Sequence, residues 1–183
     1  MKNYYLILLA FCFFVSSCVQ MRGIGDDYKY LTPYEKTLIE PFKKENSLKM
    51  SRVYKTNATT LLDALKEYPK AFVYVYTVGC TGDACKPLTV YEEYAKKNGY
   101  KVFFVLTSYM DLDIALLEPR NTPLFVIDSK YYGNKLFRAY VNDFKNELKG
   151  RDRKVKGEYE GGLLFYENGV YQKSHFYLPA TTN

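Results

Sequence analysis

Two of the four cysteines stand five positions apart in Val78-Gly79-Cys80-Thr81-Gly82-Asp83-Ala84-Cys85-Lys86-Pro87, the stretch of this chain best able to do covalent chemistry. A thiolate that attacks a disulfide forms a mixed disulfide, and a second thiol within reach releases it. The pair can close only if its Cα atoms come within about 7 Å of each other. A loop containing Gly82 can fold back far enough to allow that. A helix N-terminus close by would lower a thiol pKa. Which thiol benefits depends on where the helix begins: Asp83 as N-cap brings Cys85 into the first turn, whereas Pro87 at the first helical position leaves both cysteines in the loop. The alternative is a static disulfide, common in exported proteins, although so small a loop removes little chain entropy when closed.

A third cysteine has different chemistry. Lys2 and the apolar run Leu6 to Val15 form a basic n-region and an h-region too short to span a bilayer, as in a secretion signal. The run ends in Val15-Ser16-Ser17-Cys18, which resembles a bacterial lipobox. The resemblance implies that residues 1–17 are cleaved and that the thiol of Cys18 takes a diacylglycerol. Several acyl chains on one residue give stable anchoring. Val19 after Cys18, by resemblance to enterobacterial sorting, directs the protein to the periplasmic face of the outer membrane.

The remaining candidates are weaker. His175, the only histidine, lies in Lys173-Ser174-His175-Phe176, where a surface or turn role is the ordinary one. The carboxylate pairs Asp26-Asp27, Asp111/Asp113 and Glu92-Glu93 read as solvated charge on a tether or on helix faces. No Ser-His-Asp set, Walker loop or zinc motif is present, and no cofactor or metal is expected. The formal charge is +6, but Lys and Arg alternate with Asp and Glu, so no nucleic-acid partner is expected. With 48% hydrophobic and 25% charged residues, the composition is that of an ordinary globular chain. It leaves the oligomeric state open.

The elements that must position the cysteines follow from periodicity. Residues 19–32 are polar and aperiodic, a tether behind Cys18 leading to one domain over 33–183. Tyr34, Leu38, Ile39 and Phe42 recur at helical spacing up to an interruption at Pro41. Arg52 to Thr56 predicts a short edge strand, and Asn57 to Thr60 supply an N-cap for a helix through Leu61, Leu62, Leu65 and Tyr68 that Pro69 closes. Ala71 to Thr77 (AFVYVYT) is a central strand, a helix with Leu88, Tyr91 and Ala95 on its buried face ends at Asn98-Gly99, and Lys101 to Leu106 is a buried strand. A strand, a cysteine loop, a helix and a second parallel strand make a βαβ unit, with the cysteines at its carboxyl end. Asp111 to Leu117 is a short helix, Leu124 to Asp128 a strand opened by Thr122-Pro123, and Leu136 to Leu148 an amphipathic helix. Lys149 to Lys156 is a basic loop. Leu163 to Tyr166 and Val170 to Lys173 form a hairpin on Asn168-Gly169.

This order, with AFVYVYT-VGC-TGDA-CK and a later Thr-Pro, resembles the thioredoxin superfamily over about residues 50–175. The resemblance implies an α/β fold, a central mixed β-sheet flanked by helices with a C-terminal β-hairpin. It makes Cys80 the nucleophile, Cys85 the resolving cysteine and Pro123 a cis-proline packed beside them. An alternative alignment puts the hairpin 163–173 at the family's last two strands, so that the proline position falls at Gly161 with residues 123–150 as an insertion. The spacing is Cys-x4-Cys rather than Cys-x2-Cys, Gly79 replaces the usual Trp, and the strand before the loop carries no buried acid. The implied activity is thiol-disulfide exchange on exported protein thiols or disulfides in the bacterial envelope. A redox-silent binding module with a structural disulfide is the alternative. Thr77-Val78-Gly79-Cys80 also resembles the Thr-x-x-Cys of peroxiredoxins without their proline, and copper-delivery relatives would pair the cysteines with a distant histidine such as His175.

The lipobox reading has a direct test. Cys18→Ala should abolish acyl labelling and leave an unprocessed precursor, and a processed protein that stays on the membrane without Cys18 would refute it.

Overall fold

The computed structural model describes residues 22–180 apart from Asn46, Thr81, Asp83, Ala84, Asn134, Lys135, Glu158 and Tyr159. The signal segment 1–17, the lipid-accepting Cys18 and the first tether residues lie outside the described residues. The described chain is an α/β structure with one sheet of seven strands in the order β1-β2-β5-β4-β3-β6-β7. These are β1 (Ile39–Pro41), β2 (Val53–Thr56), β3 (Lys70–Tyr76), β4 (Lys101–Leu106), β5 (Leu124–Ile127), β6 (Leu163–Glu167) and β7 (Val170–His175). The first five run parallel, β6 is antiparallel to β3, and β7 is antiparallel to β6. The helices are α1 (Pro33–Thr37), α2 (Ala58–Leu65), α3 (Leu88–Asn98), α4 (Leu112–Leu117) and α5 (Phe137–Leu148).

Parallel strands need crossovers, and the helices that make them cover both faces of the sheet. On one face Ala71, Val73 and Val75 of β3 join Phe103, Val105 and Phe125 against α2 and α5. On the other, Phe72, Tyr74 and Tyr76 join Phe104 and Leu106 against α3 and α4. β3 therefore reads as a continuous apolar run rather than an alternating one. Full burial of each of its large side chains is worth about 1.5–3 kcal/mol.

Local signals fixed the ends of several elements. The Asn57 side chain accepts from Thr60 N–H at 2.9 Å and caps α2. Gly99 takes φ 72° after α3, and Asn168 and Gly169, at φ 50° and 77°, form the two-residue turn of the β6–β7 hairpin.

Two expectations change. The helical period through Tyr34, Leu38, Ile39 and Phe42 is realised only over α1, which Thr32 and Glu35 start with a reciprocal capping box. The chain then extends into β1, where Pro41 is tolerated because β1 is the sheet edge. β2 is consequently an interior strand between β1 and β5.

Nor do residues 22–32 hang free as a tether. Ile24 carbonyl accepts from Phe137 N–H at 2.7 Å, Asp26 carbonyl accepts from Tyr109 N–H at 2.8 Å, and Ser129 hydroxyl donates to the Asp26 carboxylate. Asp27, expected to be solvated, is buried and accepts from Gly23 N–H at 2.8 Å. The segment is polar because it satisfies loop N–H and hydroxyl groups where the strands end.

Gly161 and Gly82 separate a packing constraint from simple loop freedom. A Cβ on Gly161 would overlap the His175 carbonyl and the Phe176 nitrogen, both backbone, whereas at Gly82 nothing lies within 4 Å. Gly161→Ala should cost about 3 kcal/mol, the upper end for overpacking. Gly82→Ala should stay within about 0.5 kcal/mol. Urea unfolding midpoints would check both.

Candidate functional site

β3 ends at Tyr76, and its carboxyl end is tied to that of β4. Thr107 N–H donates to Tyr76 carbonyl at 2.9 Å, and the Thr77 and Thr107 hydroxyls share a 2.8 Å hydrogen bond. Gly79, at φ 77°, then turns the chain outward. Cys80 is exposed and Cys85 half-buried. The two are joined by a disulfide with Cα atoms 5.8 Å apart. Cys85 N–H donates to Gly82 carbonyl at 2.8 Å, which folds the loop back on itself.

The position of the helix resolves the choice between Asp83 and Pro87. Pro87 is the N-cap of α3, so both cysteines remain in the loop. Proline has no side-chain oxygen to cap the first turn, and Glu118 does so from a distance: its Oε1 accepts from Leu88 N–H at 3.0 Å. A carboxylate thus already sits at the positive end of α3. Beneath the loop the Tyr76 hydroxyl is buried with no hydrogen-bond partner among the described residues. Burial first, and the Glu118 charge second, push its pKa up and keep it a neutral phenol.

The disulfide lies between two clefts. One, of about 520 Å³, is bounded by Val78, Pro87, Leu88, Ile114, Leu117 and Glu118. The other, of about 730 Å³, lies along α5 and includes Val75, Phe137, Arg138, Lys145, Glu160 and Gly162. Lys149 forms an ion pair with the Glu160 carboxylate, and Arg151 Nη1 approaches Glu160 Oε1 at 2.9 Å. Lys145 Nζ donates instead to the Glu160 backbone carbonyl at 3.1 Å, and burial lowers its pKa.

Pro123 is not beside the cysteines. The Thr122–Pro123 peptide is trans, since no peptide among the described residues is cis. The residue opens β5, which runs parallel to β3 through β4. It therefore lies at the amino edge of the sheet, in a recess with Phe42, Lys101 and Thr122, while the cysteine loop leaves the carboxyl edge. β6 runs antiparallel to β3, so the glycines that open it stand at the carboxyl edge. Gly162 carbonyl accepts from Val75 N–H at 2.8 Å, and Gly162 shares the larger cleft with both cysteines.

His175 ends β7 opposite Leu163 and sets its ring edge-on to Phe165 at 5.5 Å between centroids. Burial, then Lys173, lower its pKa. Among the described residues no group of three or more His, Cys, Asp or Glu side chains is placed to hold a metal ion. Glu92, expected to be solvated, accepts from Asn121 N–H at 2.7 Å.

Glu118 and Gly162 went unnoticed in the sequence because each acts through backbone atoms far along the chain. The cations could have been found, since Arg138, Lys145 and Lys149 recur at helical spacing.

Comparison with known proteins finds no matching family model, no curated relative and no solved structure that matches. Functional argument therefore rests on the chemistry of the chain itself.

The Glu118 cap makes a testable demand. Glu118→Ala leaves Leu88 N–H without its acceptor and should cost about 1 kcal/mol, while Glu118→Gln, which keeps an accepting oxygen, should cost less. Denaturant unfolding at neutral pH distinguishes them, and equal losses would refute the cap.

Proposed function

We propose that this chain is a thioredoxin-like thiol-disulfide oxidoreductase, lipid-anchored through Cys18 in the bacterial envelope and acting on exported proteins. The observation that carries the reading is the Cys80–Cys85 bridge at the carboxyl edge of a parallel sheet, with Cys80 exposed and a cleft on either side. Open α/β sheets put their sites at that edge. The alignment that takes 123–150 as an insertion has support: the β6–β7 hairpin pairs antiparallel with β3 as the family's last two strands would, and β5 lies between β4 and β2 as added material. Gly161 then fills the proline position and Pro123 has no part in the chemistry.

In the reducing direction the Cys80 thiolate attacks one sulfur of a substrate disulfide, forming a mixed disulfide and releasing the other sulfur as a thiolate. The Cys85 thiolate attacks Sγ of Cys80, the Cys80–Cys85 bond forms, and the second substrate thiolate leaves. Two electrons pass from the cysteine pair to the substrate. Oxidation of a substrate dithiol is the reverse, beginning with attack on the exposed Cys80. Exposure of Cys80 favours it as the attacked and attacking sulfur in both directions.

Cys85→Ser should trap mixed disulfides between Cys80 and envelope proteins, because attack survives and resolution is lost. Cys80→Ser should trap few. Titration against glutathione should give a potential above about −300 mV, where working couples lie. A couple below that value, together with an empty Cys85→Ser trap, would make the bridge a staple and the chain a binding module.

A further inference from the structure

The two clefts beside the bridge differ in charge. The smaller is walled mainly by apolar side chains, with Ile114 and Leu117 exposed at its rim. The larger has an apolar floor of Val75, Phe137, Val141 and Phe176, and a row of cations along α5.

Those cations are not equally balanced. Both carboxylate oxygens of Glu160 are engaged, one by Lys149 and the other by Arg151, with Ser174 hydroxyl donating to the first at 3.3 Å. Lys145 donates to the Glu160 carbonyl, a dipole and not a charge, and forms no ion pair among the described residues. Arg138, exposed at the cleft, forms no ion pair among the described residues. Among the described residues the cleft therefore holds two cations that no carboxylate neutralises, one of them withdrawn from water so that burial disfavours its charged form. A carboxylate entering there would meet a stronger attraction than at an open surface, because less water screens the pair. The volume, about 730 Å³, is within the roughly 300–1,000 Å³ typical of ligand sites. The disulfide lies at the cleft wall, so whatever fills the cleft is held against the cysteines.

We infer that the larger cleft receives an acidic, partly apolar stretch of the partner polypeptide, its carboxylate on Arg138 and Lys145 and the segment lying beside Cys80. The inference deepens the proposed exchange reaction and rests on it only for the chemistry that follows docking. The apolar floor takes the side chains next to the carboxylate, and the cations select the charge.

The test uses the full-length protein in detergent with its disulfide intact, and two fluorescent peptides of equal length and apolar content. One carries Glu and the other Lys on either side of a central Ser. Anisotropy should show the Glu peptide binding about tenfold more tightly at low ionic strength, a preference that shrinks as salt is added. Lys145→Met, which keeps the buried stem, and the exposed Arg138→Gln should each remove most of it. Equal affinities, or a preference untouched by both variants, would overturn the inference. Should Lys145→Met fail to fold, Arg138→Gln alone decides.

A second pair of peptides, with the central Ser replaced by a Cys in mixed disulfide with glutathione, reads the exchange rate on reduced protein. Selective binding without exchange would sink the redox reading and leave the acidic-segment site standing. Exchange at equal rates on both peptides, with equal binding, would do the opposite.

Discussion

Parallel strands cannot be joined by a tight turn, and most of this molecule follows from that constraint. β1 to β5 all end at the same edge, and each of β1 to β4 must send the chain across a face of the sheet before the next strand can begin. Helices on both faces bury β3 from Ala71 to Tyr76, so its sequence is apolar from Ala71 onward, and the chain is released only past its carboxyl end. There Gly79 turns the chain out, and the cysteine loop is carried by a strand buried on both faces.

How much of this could be read from the residues depended on whether the cause was local. Asn57, Gly99 and Asn168-Gly169 act on atoms within four positions of themselves, and each marked its boundary correctly. AFVYVYT and KVFFVL are buried on both faces, and a run without alternation says so. Pro123 was misjudged because Thr-Pro before a strand looks the same at either edge of a sheet. Strand direction is set by pairing partners far away, here β2 and β4. The polar stretch 22–32 looked like a tether since its contacts are made by carbonyls and carboxylates, which carry no hydrophobic period. Glu118 reaches Leu88 across thirty positions, and no spacing rule records such a cap.

Charge near the bridge is arranged in opposition. On the side of the smaller cleft the Glu118 carboxylate occupies the N-terminus of α3, so the helix field that would stabilise a thiolate is partly cancelled. On the other side α5 presents Lys145 and Arg138, which favour negative charge. A thiolate released at Cys80 lies between these two influences. The neutral Tyr76 phenol beneath adds no charge of its own. The balance in the described residues thus comes from side chains on α5 and after α4, rather than from an acid on the strand that leads into the cysteines.

The same edge is also divided in extent. Where β4 and β5 end it is covered by the N-terminal segment, through Asp26 with Tyr109 and Ser129 and the packing of Tyr28 on Tyr109. Ile24 then holds Phe137 N–H, one residue before Arg138. The segment therefore stops where the larger cleft begins, and the part of the edge left open is the part bearing the cysteines, Gly162 and the cations of α5. Had the segment been a free tether, loops after β4 and β5 would have needed other partners for their N–H and hydroxyl groups, and the open surface would have been wider and less selective. Docking it leaves open the part of the edge that holds the larger cleft, with its apolar lining and the cations of α5.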